Sequence, residues 1–240
     1  MSVQSYQQAY RQASEEPETF WAKQVARLNW HTPPVSIIAQ DAEGNHQWFP
    51  DGRLNTAWLA LDAHVLAGRG DQPALIYDSP VTSTKSTITY ADLTRRVAQC
   101  AGMLRDLRVE RGDRVIIYMP MIPETVIAML ACARLGAVHC VVFGGFAAPE
   151  LAVRIDDAQA DIVLTASCGI EVDRIIPYKP LVDAAIEQAR HPVRHCVVFQ
   201  RTQCIADLFA DRDLNWQQAL VNAEPADAVA VCATDPLYIL

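Results

Sequence analysis

The stretch GDRVIIYMPMIPETVIAMLACARLGAVHCVVFGGF, from Gly112 to Phe146, contains two strand-like runs, one helix with clear stops and a glycine pair. Arg114-Val-Ile-Ile-Tyr-Met119 is a β-branched run. Pro123 suits the first turn of a helix, where its missing N–H costs little. The helix predicted over Glu124–Leu135 stops at Gly136, and Val138–Val142 is a second apolar run. Strand, crossover helix and strand with short joints make a βαβ unit, which implies a parallel sheet covered on both faces. Gly144 and Gly145 follow the second strand, at the strand end where open α/β sheets bind ligands.

A membrane helix is the competing reading of this block, because between Thr125 and Pro149 only Arg134 and His139 interrupt the apolar and small residues. A spanning helix needs about 20 apolar residues without a central charge. Arg134, Gly136 and the Gly-Gly pair divide the run, and Val-His-Cys-Val-Val-Phe has strand composition. The block is read as a buried unit of a globular protein, with no membrane partner.

The flanking sequence extends the pattern. Pro149 opens another helix, Asp161-Ile-Val-Leu-Thr165 is a third strand, Pro180–Arg190 a helix and Arg194–Phe199 a fourth strand. This β-α-β-α-β-α-β alternation predicts an α/β fold with a mostly parallel sheet flanked by helices and right-handed crossovers. Upstream, Ala74–Tyr77 and Ser86–Thr89 read as a hairpin, followed by a long helix from Tyr90 with Leu93, Val97, Cys100, Leu104 and Leu107 on one face. Asn55 is a good N-cap for a helix over Thr56–Ala67, which Gly68 can end. Pro17–Leu28 reads as an amphipathic helix, and the first 68 residues as a small helical N-terminal wrap docked by aromatic anchors. A short helix is expected near Trp216. The final run Leu237–Leu240 is expected to be an unpaired apolar strand that limits solubility.

The chain has 240 residues, 51% of them apolar and 20% charged, enough for a substantial core. With 28 acids against 20 bases the net charge is −8, which argues against a nucleic-acid surface. The N-terminus lacks a basic region followed by an apolar core, so a cytoplasmic location is expected. Seven cysteines form no C-x-x-C pair, and the six histidines form no H-x-x-x-H pattern. Buried, unreactive thiols and no metal site are therefore expected.

Familiar nucleotide and hydrolase signatures are absent: no G-x-x-x-x-G-K-[ST], no G-x-G-x-x-G between strand and helix, and no G-x-S-x-G. Two segments remain, Phe143-Gly-Gly-Phe146 and Ser167-Cys-Gly-Ile-Glu-Val-Asp-Arg-Ile-Ile-Pro-Tyr-Lys179. Each follows a predicted strand, so both should emerge on one edge of the sheet. Glycine lets a ligand approach the backbone, a phenylalanine can face an adenine ring, and Arg174 and Lys179 could meet phosphates. The alternative is a plain turn with solvated bases.

The run YMPMIPETVIAMLACARLGAVHCVVFGGF resembles the acetyl-CoA and propionyl-CoA synthetases, AMP-forming members of the adenylate-forming superfamily. So do Trp48-Phe49 with Asp51-Gly-Arg-Leu-Asn55, Gly70-Asp71-Gln-Pro-Ala74, and Thr89-Tyr90 with Leu93. The segment GIEVDRIIPYKPLVDAAI is more similar to propionate-type than to acetate-type members. The resemblance implies residues 1–68 as an acetyl-CoA-synthetase-type extension and residues 69–240 as the first part of the AMP-binding domain. It implies a ligase that joins propionate or acetate to coenzyme A through an acyl-adenylate, using ATP and Mg2+ and releasing AMP and pyrophosphate. It places Phe143, Gly144 and Gly145 against the coenzyme A nucleotide, and Glu171, Val172, Asp173 and Arg174 near its ribose 3′-phosphate. Acetate-type members carry arginine at both ends of that second segment. Glu171 would repel a phosphate, which leaves Arg174 as the better contact. In the family a strand like Leu237–Leu240 leads into a Ser/Thr/Gly-rich phosphate loop ending in lysine. That loop, the acyl pocket, most ATP and Mg2+ contacts and the catalytic lysine have no counterpart in residues 1–240, so no catalytic residue is assigned. The chain is expected to be an N-terminal portion that needs a C-terminal segment for activity. The alternatives are a non-catalytic module binding coenzyme A or nucleotide, and one half of a split enzyme.

Overall fold

A computed structural model describes residues 5–240. In chain order the elements are α1 (Tyr6–Glu15), α2 (Pro17–Val25), β1 (Ile38–Gln40), β2 (His46–Trp48), β3 (Arg53–Leu54), α3 (Thr56–Ala60) and α4 (Asp62–His64). A π-helical turn (Val65–Arg69) leads to β4 (Pro73–Ser79), β5 (Thr84–Thr89) and α5 (Tyr90–Asp106). Then come β6 (Arg114–Tyr118), α6 (Pro123–Leu135), β7 (Val138–Val141), α7 (Ala148–Ala158), β8 (Ile162–Ala166), β9 (Cys168–Glu171) and β10 (Arg174–Pro177). The remainder is α8 (Lys179–Gln188), β11 (His195–Phe199), β12 (Asp213–Asn215), α9 (Trp216–Val221), β13 (Val231–Cys232) and β14 (Tyr238–Ile239).

The chain divides into two compact units, the first formed by residues up to Asn55 with Ala230–Asp235, the second by Thr56–Val229 with Pro236–Leu240. In the first unit, α1 starts with a capping box in which the Ser5 hydroxyl accepts from the Gln8 amide and the Gln8 side chain accepts from Ser5. Its sequence has no apolar face to bury, which is why helical periodicity did not reveal it. Trp21, Trp48, Phe49 and Trp30 contact one another in a chain of edge and tilted ring contacts. The expected aromatic anchors thus pack on one another within the unit, with Trp21 and Trp48 still exposed. β13 pairs antiparallel with β3.

The second unit is built on a six-stranded sheet of order β12-β11-β8-β6-β7-β14, in which every pairing is parallel. Strand residues alternate between two cores. Val115, Ile117, Leu164 and Val197 pack with α5 and α6, while Ile116, Tyr118, Val163, Cys196 and Val198 pack with α7 and α8. Burial on both faces explains why these strands read as continuous apolar runs. The α/β fold with a mostly parallel sheet is as the sequence implies. α6 opens with Pro123 and ends at Gly136, whose φ of 73° closes the helix in the left-handed region. Arg134, which interrupts the apolar run, is buried in a fork to Asp62 (2.7 and 3.0 Å) and donates to the Ala226 carbonyl at 2.7 Å. No helix among the described residues is long and apolar enough to cross a membrane.

Two local readings are corrected. The single helix over Thr56–Ala67 is interrupted at Leu61 (φ −127°, ψ −72°), a core residue, and Asp62 immediately after it pairs with Arg134. The run Leu237–Leu240 is not unpaired: Tyr238 and Ile239 join the sheet beside His139 and Cys140 of β7.

Candidate functional site

Both candidate segments emerge at the carboxyl edge of the parallel sheet, as expected: Phe143–Phe146 follows β7, and the β9–β10 hairpin follows β8. The hairpin itself escaped sequence reading, because its two-residue tip is Val172-Asp173 and not an Asn-Gly or Asp-Gly turn. Val172 has φ 55°, a left-handed conformation unfavourable for a β-branched residue, and its side chain stands in solvent. Such strained, exposed tips are common in ligand-contacting segments.

Two tyrosines organise the edge. The Tyr118 hydroxyl lies 3.0 Å from the Gly144 carbonyl and 2.8 Å from the Phe146 carbonyl, its one proton shared between them. Burial, reinforced by Tyr178, pushes this phenol up to about 12, so it stays a donor at every physiological pH. Tyr178 packs against Tyr118 with ring centroids 5.0 Å apart, and its backbone N–H donates to the Ser167 carbonyl. Its hydroxyl would lie 2.3 Å from a Cβ on Gly144 and 2.5 Å from one on Gly169. The ring therefore occupies the space above both glycines and ties the glycine loop to the hairpin base. Gly145 faces Phe143, whose ring would lie 2.6 Å from an added Cβ. Phe143 itself is 73% exposed and meets Phe146 edge-on.

Gly144→Ala is therefore expected to cost about 1–3 kcal/mol through overpacking. Adding Tyr178→Leu should recover part of that loss in urea denaturation. A double variant no more stable than Gly144→Ala would show that the two residues do not compete for space.

The charged candidates separate sharply. Arg174 is exposed and lies 3.8 Å from Glu171, beyond hydrogen-bonding distance, so its donor fork is available to a ligand. Asp173 sits with Val172 at the tip, between the paired Glu171 and Arg174. Lys179, expected as a phosphate contact, is instead buried with its ammonium 2.6 and 2.7 Å from the Asp183 oxygens and 2.7 Å from Asp213. Its charge is already neutralised within the protein. Cys132 and Cys196 are fully buried, and desolvation pushes both thiols up to about 12, as suits unreactive core residues. Tyr118 and Tyr178, the positioning residues of this edge, carry no sequence signal beyond standing at a strand end and a hairpin end.

No group of three or more His, Cys, Asp or Glu side chains among the described residues is placed to hold a metal ion.

A family model described as AMP-binding enzyme matches residues 62–240, and one for the acetyl-coenzyme A synthetase N-terminus matches residues 6–60. An uncharacterized protein of Pseudomonas aeruginosa is 56% identical over 98% of this chain and 38% of its own length. The mitochondrial acyl-CoA synthetase short-chain family member 3 of Homo sapiens is 40% identical over 100% of this chain and 35% of its own. Acetyl-coenzyme A synthetase of Salmonella typhimurium is 41% identical, with 100% and 37% covered. Among solved structures, acetoacetyl-CoA synthetase from Streptomyces lividans superposes with a TM-score of 0.86 at 26% identity, over 100% of this chain and 36% of that one. The chain thus spans a little over a third of the length of these relatives.

Proposed function

The chain belongs to the AMP-binding enzyme family, and from that premise we propose that it supplies the N-terminal portion of a short-chain acyl-CoA ligase. The complete reaction joins propionate, with acetate as the competing acid, to coenzyme A through an acyl-adenylate, consuming ATP and releasing AMP and pyrophosphate. The relatives named above are short-chain acyl-CoA and acetyl-coenzyme A synthetases, which supports the reaction class. The propionate preference rests on the segment from Gly169 to Ile186.

The observation that carries the reading is the joint placement of the glycine loop and the β9–β10 hairpin on one sheet edge, locked together through Tyr178. That arrangement presents an exposed aromatic face at Phe143 and an exposed guanidinium at Arg174, held only by a long ion pair with Glu171 at 3.8 Å. A nucleotide carrying a separate phosphate needs both: a ring to stack on and a fork of donors. Residues 1–240 are assigned this nucleotide-holding role within the ligase. Turnover, which in such reactions depends on positioning and on charge stabilisation at the phosphates, is left to groups outside this edge.

Titration with coenzyme A and with its 3′-dephospho form tests the reading. Arg174→Ala is expected to weaken coenzyme A about five- to tenfold, a charge-assisted contact discounted for exposure, and to leave the dephospho form unchanged. Equal losses for both ligands, or no binding of either by the wild-type chain, would remove the hairpin from the site.

A further inference from the structure

The strand order places the topological switch of the sheet between β6 and β8. From β6 the chain runs through α6 to β7 on one side; from β8 it runs through α8 to β11 on the other. Open α/β sheets bind ligands in the crevice that such diverging connections leave at the carboxyl ends of the strands. A cleft of about 540 Å3 opens there, bounded by the turns after β6 and β11, by α5 and by the β4–β5 hairpin. The volume lies in the range of small-molecule sites. Phe143 and Arg174 do not line it.

The charges in this cleft are not used up internally. Arg201 is buried and anchored, its backbone N–H donating to the Ser167 hydroxyl at 2.8 Å and its Nη1 to the Cys168 carbonyl at 3.0 Å, which leaves most of its donor fork uncommitted. Arg96 of α5 makes no hydrogen bond or ion pair among the described residues. Both guanidinium groups act electrostatically on Glu124, in the first turn of α6, without pairing with it. Burial pushes the Glu124 carboxyl above the usual carboxylate value, against the pull of its own amide and of the two arginines. Two cations facing one carboxylate leave a positive surplus, and the N-terminal end of the 13-residue helix α6 adds to it. Ser86, Thr87 and Gln203 also line the cleft, with hydroxyls and an amide.

We propose that this cleft binds a small phosphomonoester with a hydroxylated body, its phosphoryl group between Arg96 and Arg201 and its hydroxyls against Ser86, Thr87 and Gln203. A phosphoryl group carries the negative charge that this surplus attracts, and arginine forks match its oxygens in geometry. The hydroxyl-bearing wall suits a polyol and offers little to an aliphatic acid. This site is separate from the coenzyme A edge and does not depend on that reading.

Calorimetric titration of the chain with ribose 5-phosphate at a fixed, mildly alkaline pH tests it. Saturable one-to-one binding is expected, with none for ribose. Arg96→Gln should weaken binding about tenfold, the worth of a charge-assisted pair, without moving the melting temperature of the free protein. Glu124→Gln should tighten it severalfold, because a negative charge leaves the site. Arg174→Ala should change nothing. No saturation at millimolar ligand, or an affinity indifferent to both Arg96→Gln and Arg201→Lys, would overturn the proposal. Loss of binding in Arg174→Ala would do so equally, by moving the phosphate to the hairpin.

Discussion

Lys179→Met is expected to lower the unfolding free energy by about 3–5 kcal/mol at neutral pH, the cost of removing one partner from a buried charge network. The Lys179 ammonium sits between Asp183 and the fully buried Asp213, over the face of Phe209 at 4.6 Å. Arg212 completes the network, donating to Asp213 at 2.7 Å and also contacting Asp183. Without the lysine, two carboxylates share one guanidinium, and the Asp213 side chain is fully shielded from water. The pH dependence follows from Asp213. Burial pushes its carboxyl up, but hydrogen bonds from Arg212 and Lys179 together outweigh that, and the group ends below its ordinary 3.8. A depressed carboxylate contributes stability that is present above the unfolded-state value and lost as pH falls through the folded one. In Lys179→Met the carboxyl protonates at higher pH, which relieves the unpaired charge. The deficit of the variant should therefore be largest near neutrality and shrink as pH falls toward the ordinary carboxylate range. Urea denaturation across that range checks both statements, and equal midpoints at neutral pH would sink them. Because Tyr178 immediately precedes Lys179, a loosened start of α8 should also release the ring from between Gly144 and Gly169.

Gly102→Ala should be at least as damaging, at about 3 kcal/mol or more, because the overlap is with backbone that cannot rotate away. A Cβ at Gly102 would stand 1.9 Å from the Glu224 carbonyl oxygen. That close approach is fixed on either side: the Gln99 amide donates to the Leu220 carbonyl at 2.8 Å, the Arg105 guanidinium to the Glu224 carbonyl at 3.0 Å, and the Ala226 N–H to the Ala98 carbonyl at 2.9 Å. Gly70 provides the contrast. It has right-handed helical dihedrals, and an added Cβ would meet Ala91 and Val65 at 3.6 and 3.8 Å, ordinary contact distances. Gly70→Ala should be neutral or stabilising by up to about 1 kcal/mol, through the unfolded chain. Thermal unfolding of the two variants side by side separates steric cost from the general effect of adding a methyl group. Similar melting temperatures for both would contradict the close approach of α5 to the 220–226 segment.

The parallel sheet was legible in the sequence because its strands are buried on both faces and its helices carry their own stops, Pro123 at one end of α6 and Gly136 at the other. The β9–β10 hairpin was not, since half its residues face solvent and its turn lacks the usual residues. The partner of the last strand was not either, because pairing with β7 joins Tyr238 to His139 across a hundred residues of intervening chain, and a strand's own composition does not name its neighbour. Lys179 shows the same limit at the level of chemistry. Its local partner Asp183 lies one helical turn away and was visible, but Asp213 reaches it only through the parallel pairing of β12 with β11. A lysine near a ligand-binding edge reads as available until the fold supplies its counter-charges. Of the two possible phosphate contacts, five positions apart, Arg174 is exposed and Lys179 is buried against its counter-charges.

The pairing of Val231–Cys232 with Arg53–Leu54 has a consequence for synthesis order. During translation the first unit cannot close its sheet when its own residues leave the ribosome; β3 must wait until nearly all of the second unit has been made. Until then the edge of β3 stays open, and the closure of a contact so distant in sequence is slow. The first unit is sealed only by this six-residue return of the chain, from Ala230 to Asp235.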